Sequence, residues 1–198
     1  MLQSLIGLTD RVSRSWRLFL FAFVCVVVVL ETAMWVQDNK MTPQTGYPAF
    51  DVQMSERILT PREVAEQAAR YNEPARHAAW VLYALDTLFP FGVAVVETAM
   101  AAWGCRKLFP HRYDKIKPWL LLLYIFVPLD WLENAGYLAA INSGASISST
   151  TAHAAPFFAQ LKWIAIYSVV STVLLLFSGG LVASVVNFAR VRRRDRAR

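Results

Sequence analysis

The sequence predicts an all-α integral membrane protein: a four-helix antiparallel bundle, both termini cytoplasmic, with a short amphipathic helix on the outer side. Three observations carry this expectation. Four windows, 18–36, 78–103, 118–141 and 157–187, hold almost no charge, and each reaches the ~20 residues a helix needs to cross ~30 Å of hydrocarbon. The segments flanking these windows alternate between basic and non-basic, as the retention of Lys and Arg on the cytoplasmic side requires. A capping sequence, Thr60-Pro61-Arg62-Glu63, opens a helix between the first two windows.

The chain has 198 residues, 56% of them hydrophobic, against about 45–50% for a soluble domain even with glycine counted in. The excess sits in the four windows. This excludes a soluble enzyme, a secreted disulfide scaffold and a disordered chain, and residues 1–198 read as a single transmembrane domain of the cell (plasma or inner) membrane.

Leu2, Leu5, Ile6, Val12 and Trp16 recur at near-helical spacing, which predicts an interfacial helix leading into the first span. Arg11, Arg14 and Arg17 precede the apolar run Leu18–Leu30 much as in a signal peptide. No small-residue cleavage pattern follows, so the run reads as an uncleaved span. The outer segment Asp38–Arg76 mixes five basic with six acidic residues. Its capped helix would place Val64, Ala68 and Tyr71 on one face and stop near Asn72-Glu73-Pro74. Between the second and third windows lie Arg106, Lys107, Arg112, Lys115 and Lys117. The uncharged segment Asn142–Pro156, rich in Ser, Gly and Asn over its first ten residues, reads as an outer loop. In the last window Gly179/Ala183 and Gly180/Ser184 have the small-xxx-small spacing of close helix contacts. The tail Arg190–Arg198 reads as a stop-transfer anchor within reach of anionic headgroups.

The net charge of +6 therefore marks orientation, and the expected partner is the lipid bilayer, with no role for nucleic acid. Cys25 and Cys105 show neither CxxC nor Cys/His spacing. No metal site is expected: the Glu-x-x-His pairs of a di-iron bundle are absent, and a transmembrane haem needs two facing histidines inside the bundle, whereas His77 and His153 fall at the outer ends of their spans and His111 in a basic cytoplasmic loop. No sequence motif identifies a cofactor or a catalytic set.

The informative residues are the ionisable ones inside the windows: Glu31, Asp86, Glu97, Asp130, Glu133 and Lys162. Each costs about 2.5–3.5 kcal/mol at the centre of a membrane helix unless it is paired, neutralised or wetted. At 1.5 Å per residue, Glu31 and Lys162 lie roughly 8 Å from the outer ends, Asp86 and Glu133 roughly 10–12 Å, and Asp130 near the middle. Asp130, Glu133, Asn134 and Tyr137 fall at i, i+3, i+4 and i+7, one stripe of the third span. Tyr83, Asp86, Pro90 and Glu97 follow a similar stripe of the second. Pro90 and Pro128 predict kinks that free the carbonyls of Asp86 and Tyr124. The expected ligand-binding set is Glu31, Asp86, Asp130, Glu133, Asn134, Tyr137 and Lys162.

In architecture alone, four spans with buried acids, the chain resembles the sterol-isomerase and sigma-2-type four-helix proteins, which place acids and aromatics around a cationic ligand or intermediate. The residues themselves leave three expectations open. One is an intramembrane pocket for a small molecule, a cation or a proton, as in a component of transport. Another is an intramembrane lipid-modifying enzyme with Asp130 or Glu133 as acid/base. The third is an accessory subunit of a membrane complex.

Overall fold

Apolar and polar residues alternate along Leu2–Arg14 with helical period, and this segment forms the first helix, α1, burying Thr9 and Val12. The computed structural model describes residues 2–196, and among the described residues the chain is all-helical, with no strand. Ser15 separates α1 from α2 (Trp16–Val36); its Oγ accepts the Leu18 N–H at 3.4 Å. A π-type segment, Gln37–Met41, and α3 (Thr42–Thr45) carry the same helix past the expected end at Val36. Gly46, at φ +78°, stops it, because a left-handed residue after a helix favours glycine.

Two short helices follow. In α4 (Phe50–Glu56), Phe50 and Met54 are buried on one side. α5 (Pro61–Ala68) begins with the predicted capping box: Thr60 Oγ1 accepts the Glu63 N–H at 3.3 Å, and the Glu63 carboxylate accepts the Thr60 N–H at 2.8 Å. Val64, Ala68 and Tyr71 are buried, as the spacing predicts.

α6 (Glu73–Leu108) runs unbroken through Pro90. After α7 (Tyr113–Ile116) a 3-10 segment, Lys117–Tyr124, leads to α8 (Phe126–Ser143). The window 118–141, expected as one continuous helix, is thus built in two pieces. Pro128 does not kink it, since it stands in the first turn of α8, where a missing N–H has no partner to lose. The expected outer loop is largely helical too. A 3-10 turn, Gly144–Ser146, leads to Ser148, whose Oγ accepts the Thr151 N–H at 3.1 Å and opens α9 (Ser149–Arg196).

Three helices are long and apolar enough to cross a membrane: Trp16–Thr45, Glu73–Leu108 and Ser149–Arg190.

The chain divides into two compact units. In the unit of residues 24–92 and 125–166, α4 and α5 cover a core made with α6, α8 and α9: Phe50, Val64, Ala68 and Tyr71 meet Ala79, Tyr83, Tyr137, Ile141 and Ala155. Phe50 stacks on Tyr137 at 4.9 Å between ring centroids, and Tyr137 on Tyr83 at 6.1 Å. α8 and α9 touch closely, since a Cβ on Gly136 would lie 2.9 Å from that of Ala155.

The unit of residues 2–23, 93–124 and 167–196 is held by two devices. The Asp10 carboxylate accepts from Arg106 at 3.0 Å and from the Tyr113 hydroxyl at 2.8 Å, tying α1 to α6 and α7. Burial works against this charge, yet the bonds from Tyr113, Arg14 and Arg106 hold the Asp10 carboxyl below its usual range. The second device is a backbone-to-backbone approach of α6 and α9, where a Cβ on Gly104 would run into the carbonyl of Leu176.

Candidate functional site

One turn of α8 brings Asp130, Glu133 and Asn134 onto a single face, because residues three and four apart on a helix are neighbours. All three are buried. Lys162 of α9 reaches this face from the neighbouring helix and is itself buried. Its Nζ lies 3.1 Å from Asp130 Oδ1 and pairs as well with Glu133 Oε2. The Asn134 amide donates to Asp130 Oδ2 at 3.1 Å and to Asp86 Oδ2 of α6 at 2.8 Å. Two bridging donors, one charged and one neutral, thus hold together carboxylates from α6 and α8 that would otherwise repel.

Tyr137, one turn beyond Glu133, is fully buried in the aromatic stack beside these acids. Of the residues expected from the sequence, Asp86, Asp130, Glu133, Asn134, Tyr137 and Lys162 therefore come together in one unit. Glu31 stands apart: it is exposed on α2, with no hydrogen bond or ion pair among the described residues. Glu97, on the expected stripe of the second span, belongs to the other unit. His77 and His153 are exposed.

A fourth carboxylate joins the cluster from outside the apolar windows. Asp51, in the first turn of α4, lies within electrostatic reach of Asp86, Lys162 and Asp130, and its Oδ1 is buried without a hydrogen-bond partner. Burial, with Asp86 and Asp130 adding to it against the pull of Lys162, pushes the Asp51 carboxyl up to about 7. Sequence reasoning missed this residue. The signal available was the pair Phe50 and Met54, four apart after Pro48, which marks a short buried helix face next to Asp51.

Lys162 thus pairs with two carboxylates, with Asp86 and Asp51 within electrostatic reach, beside the stacked rings of Phe50, Tyr137 and Tyr83. The hydroxyl of Tyr83 and Oδ1 of Asn134 are also buried there without partners. A buried polar atom left unpaired costs about 1–3 kcal/mol, and native folds retain few of them without a reason. The arrangement suits a guest that carries positive charge and can donate hydrogen bonds. Among the described residues, no three His, Cys, Asp or Glu side chains come together in a way that could hold a metal ion. No protein-family model, curated protein or solved structure matches the chain.

Proposed function

We propose that the protein is a polytopic protein of the cell membrane whose buried acidic cluster binds a proton or a small organic cation, as a binding protein or a component of transport. The excess of carboxylates over Lys162 carries this reading. Charges taken out of water must be paired, and one lysine cannot balance Asp51, Asp86, Asp130 and Glu133 if all ionise. A mobile positive charge is the simplest complement. The partnerless Tyr83 hydroxyl and Asn134 Oδ1 supply acceptors for its N–H or O–H groups.

The membrane arrangement belongs to the same proposal. Four spans cross the bilayer as an antiparallel bundle with both termini in the cytoplasm, and α4 and α5 lie on the outer side. The 3-10 segment Lys117–Tyr124 and α8 serve as the third span. Eight residues at ~2 Å and eighteen at ~1.5 Å give a helical path of about 40 Å, ample for ~30 Å of hydrocarbon. The acidic cluster then lies in the outer half, with Asp51 between it and the outer water. An enzymatic role for Asp130 or Glu133 as acid/base is less well supported, because Lys162 engages both.

The test is calorimetric titration of the purified chain in detergent with tetraphenylphosphonium and with a simple alkylammonium salt at pH 5, 7 and 9. The reading expects cation binding that strengthens with pH and releases protons to the buffer. Asp130→Asn keeps the shape but removes a charge, and should weaken binding at least tenfold. Failure of both cations to bind, with no proton release between pH 5 and 9, would overturn the reading.

A further inference from the structure

In the unit of residues 2–23, 93–124 and 167–196, α6 ends at Leu108 while α9 continues several turns further. The two helices touch through Gly104 and Gly180, so close that a Cβ on Gly180 would lie 2.7 Å from the Gly104 Cα. Beyond that contact the chain turns away from α9 after Leu108 and leaves an open groove of about 600 Å³. Its α9 wall includes Gly179, Ala183, Val186 and Arg190, a helical stripe of spacing i, i+4, i+7 and i+11, flanked by Val182 and Asn187. The stripe is about 16 Å long.

The groove is largely apolar, with Asn187 on its wall, and carries two basic side chains. Lys107 stands at the end of α6 and Arg190 at the far end of the α9 stripe, and both side chains are exposed. No acid lines it. Two acids of the same unit are engaged elsewhere: Asp10 by Arg106 and Arg14, and Asp114 by Lys117. α6 and α9 are both long and apolar enough to cross a membrane, so in the membrane arrangement proposed above, on which this inference rests, the groove opens where hydrocarbon meets headgroups. Two cations lining one largely apolar trough with no acid among its walls have one natural complement: a phosphate with an acyl chain attached. We infer that this groove binds an anionic phospholipid, its chain along Gly179, Ala183 and Val186 and its phosphate between Lys107 and Arg190.

The inference is independent of the acidic cluster, which lies in the other unit. The amphiphile must carry net negative charge, because a zwitterionic headgroup brings its own ammonium into a site already bearing two cations. Each basic residue near an anionic lipid contributes about 1 kcal/mol, which corresponds to about fivefold in affinity, or about 25-fold for two.

Native mass spectrometry of the full chain in detergent, with dioleoylphosphatidylglycerol and dioleoylphosphatidylcholine in competition, tests this. Preferential retention of phosphatidylglycerol by about 25-fold is expected. Lys107→Gln with Arg190→Gln should bring the ratio near one; both side chains are exposed, so the double variant should fold. Ala183→Leu fills the trough and should lower the binding of both lipids while leaving the headgroup preference of the remainder. Replacing Arg193, Arg194 and Arg196 together by Gln should leave the preference intact. No preference in the native chain overturns the inference. So does a preference that survives the Lys107/Arg190 variant but vanishes when the tail arginines are removed.

Discussion

Replacing Lys162 by Met should destabilise the fold by about 3–5 kcal/mol, because it strands Asp130 and Glu133 as buried charges without their cation. Thermal unfolding in detergent measures this, and adding Asp130→Asn and Glu133→Gln to the same chain should recover much of the loss. Asp51 makes a separate prediction about pH. Its carboxyl stands at about 7 in the folded protein against 3.8 for the free group, so the fold favours the neutral form. Its contribution is fully present below about 3.8 and is lost as pH rises through about 7. Asp51→Asn should therefore flatten the fall in melting temperature across that window, and above pH 7 it should be the more stable chain. An unchanged slope would show that Asp51 does not sense the cluster. Asp130, Glu133 and Asn134 were legible in the sequence because i, i+3 and i+4 spacing on an apolar helix places side chains on one face whatever surrounds them. Asp51 was not. It sits on a helix too short to show periodicity, in a segment of mixed charge, and only the reversal of the chain after Gly46 brings it to the others.

The elements show the same division between local and long-range information. Thr60→Ala removes the side-chain acceptor of the α5 cap, and should cost about 1 kcal/mol. Hydrogen exchange of the Val64–Ala68 amides should speed up accordingly, while those of α6 remain protected. This helix was readable from four residues, since caps are formed by neighbours in sequence. The close approach of α6 and α9 was half readable: the small-residue spacing around Gly180 pointed to a contact, but nothing local named Gly104 as its partner. Gly104→Ala sets a methyl against the Leu176 carbonyl, which cannot rotate away, so a loss of about 1–3 kcal/mol is expected from overpacking. The two-piece third window was hidden for another reason. Hydropathy registers apolar length and is blind to whether the backbone winds as a 3-10 or an α-helix, and Pro128 reads alike at a kink and in a first turn.

At the scale of the whole molecule, the alternation of basic segments predicts which parts of the chain share a side of the membrane. In a chain with Cys25 and Cys105 replaced by Ser, single cysteines at Ser55 and at Arg192 should react with an impermeant maleimide from opposite faces of sealed vesicles. Labelling of both from one face would refute the four-span arrangement. The all-helical character and three of the long apolar helices were available from composition alone, because ~20 uncharged apolar residues in a row have few other folds open to them. The division into two units was not, since each unit is assembled from stretches far apart in the chain.

That assembly has a consequence for how the protein is made. Arg106 meets Asp10 across 96 positions of sequence, and Tyr113 meets it across 103. A ribosome adds about 5–20 residues per second, so α1 waits roughly 5–20 s after its own synthesis before its partners exist. During that interval the nascent amphipathic helix has neither of these partners to hold it. Pulse-labelled chains released before residue 106 should therefore expose the Asp10 region to protease, and chains released after residue 124 should protect it.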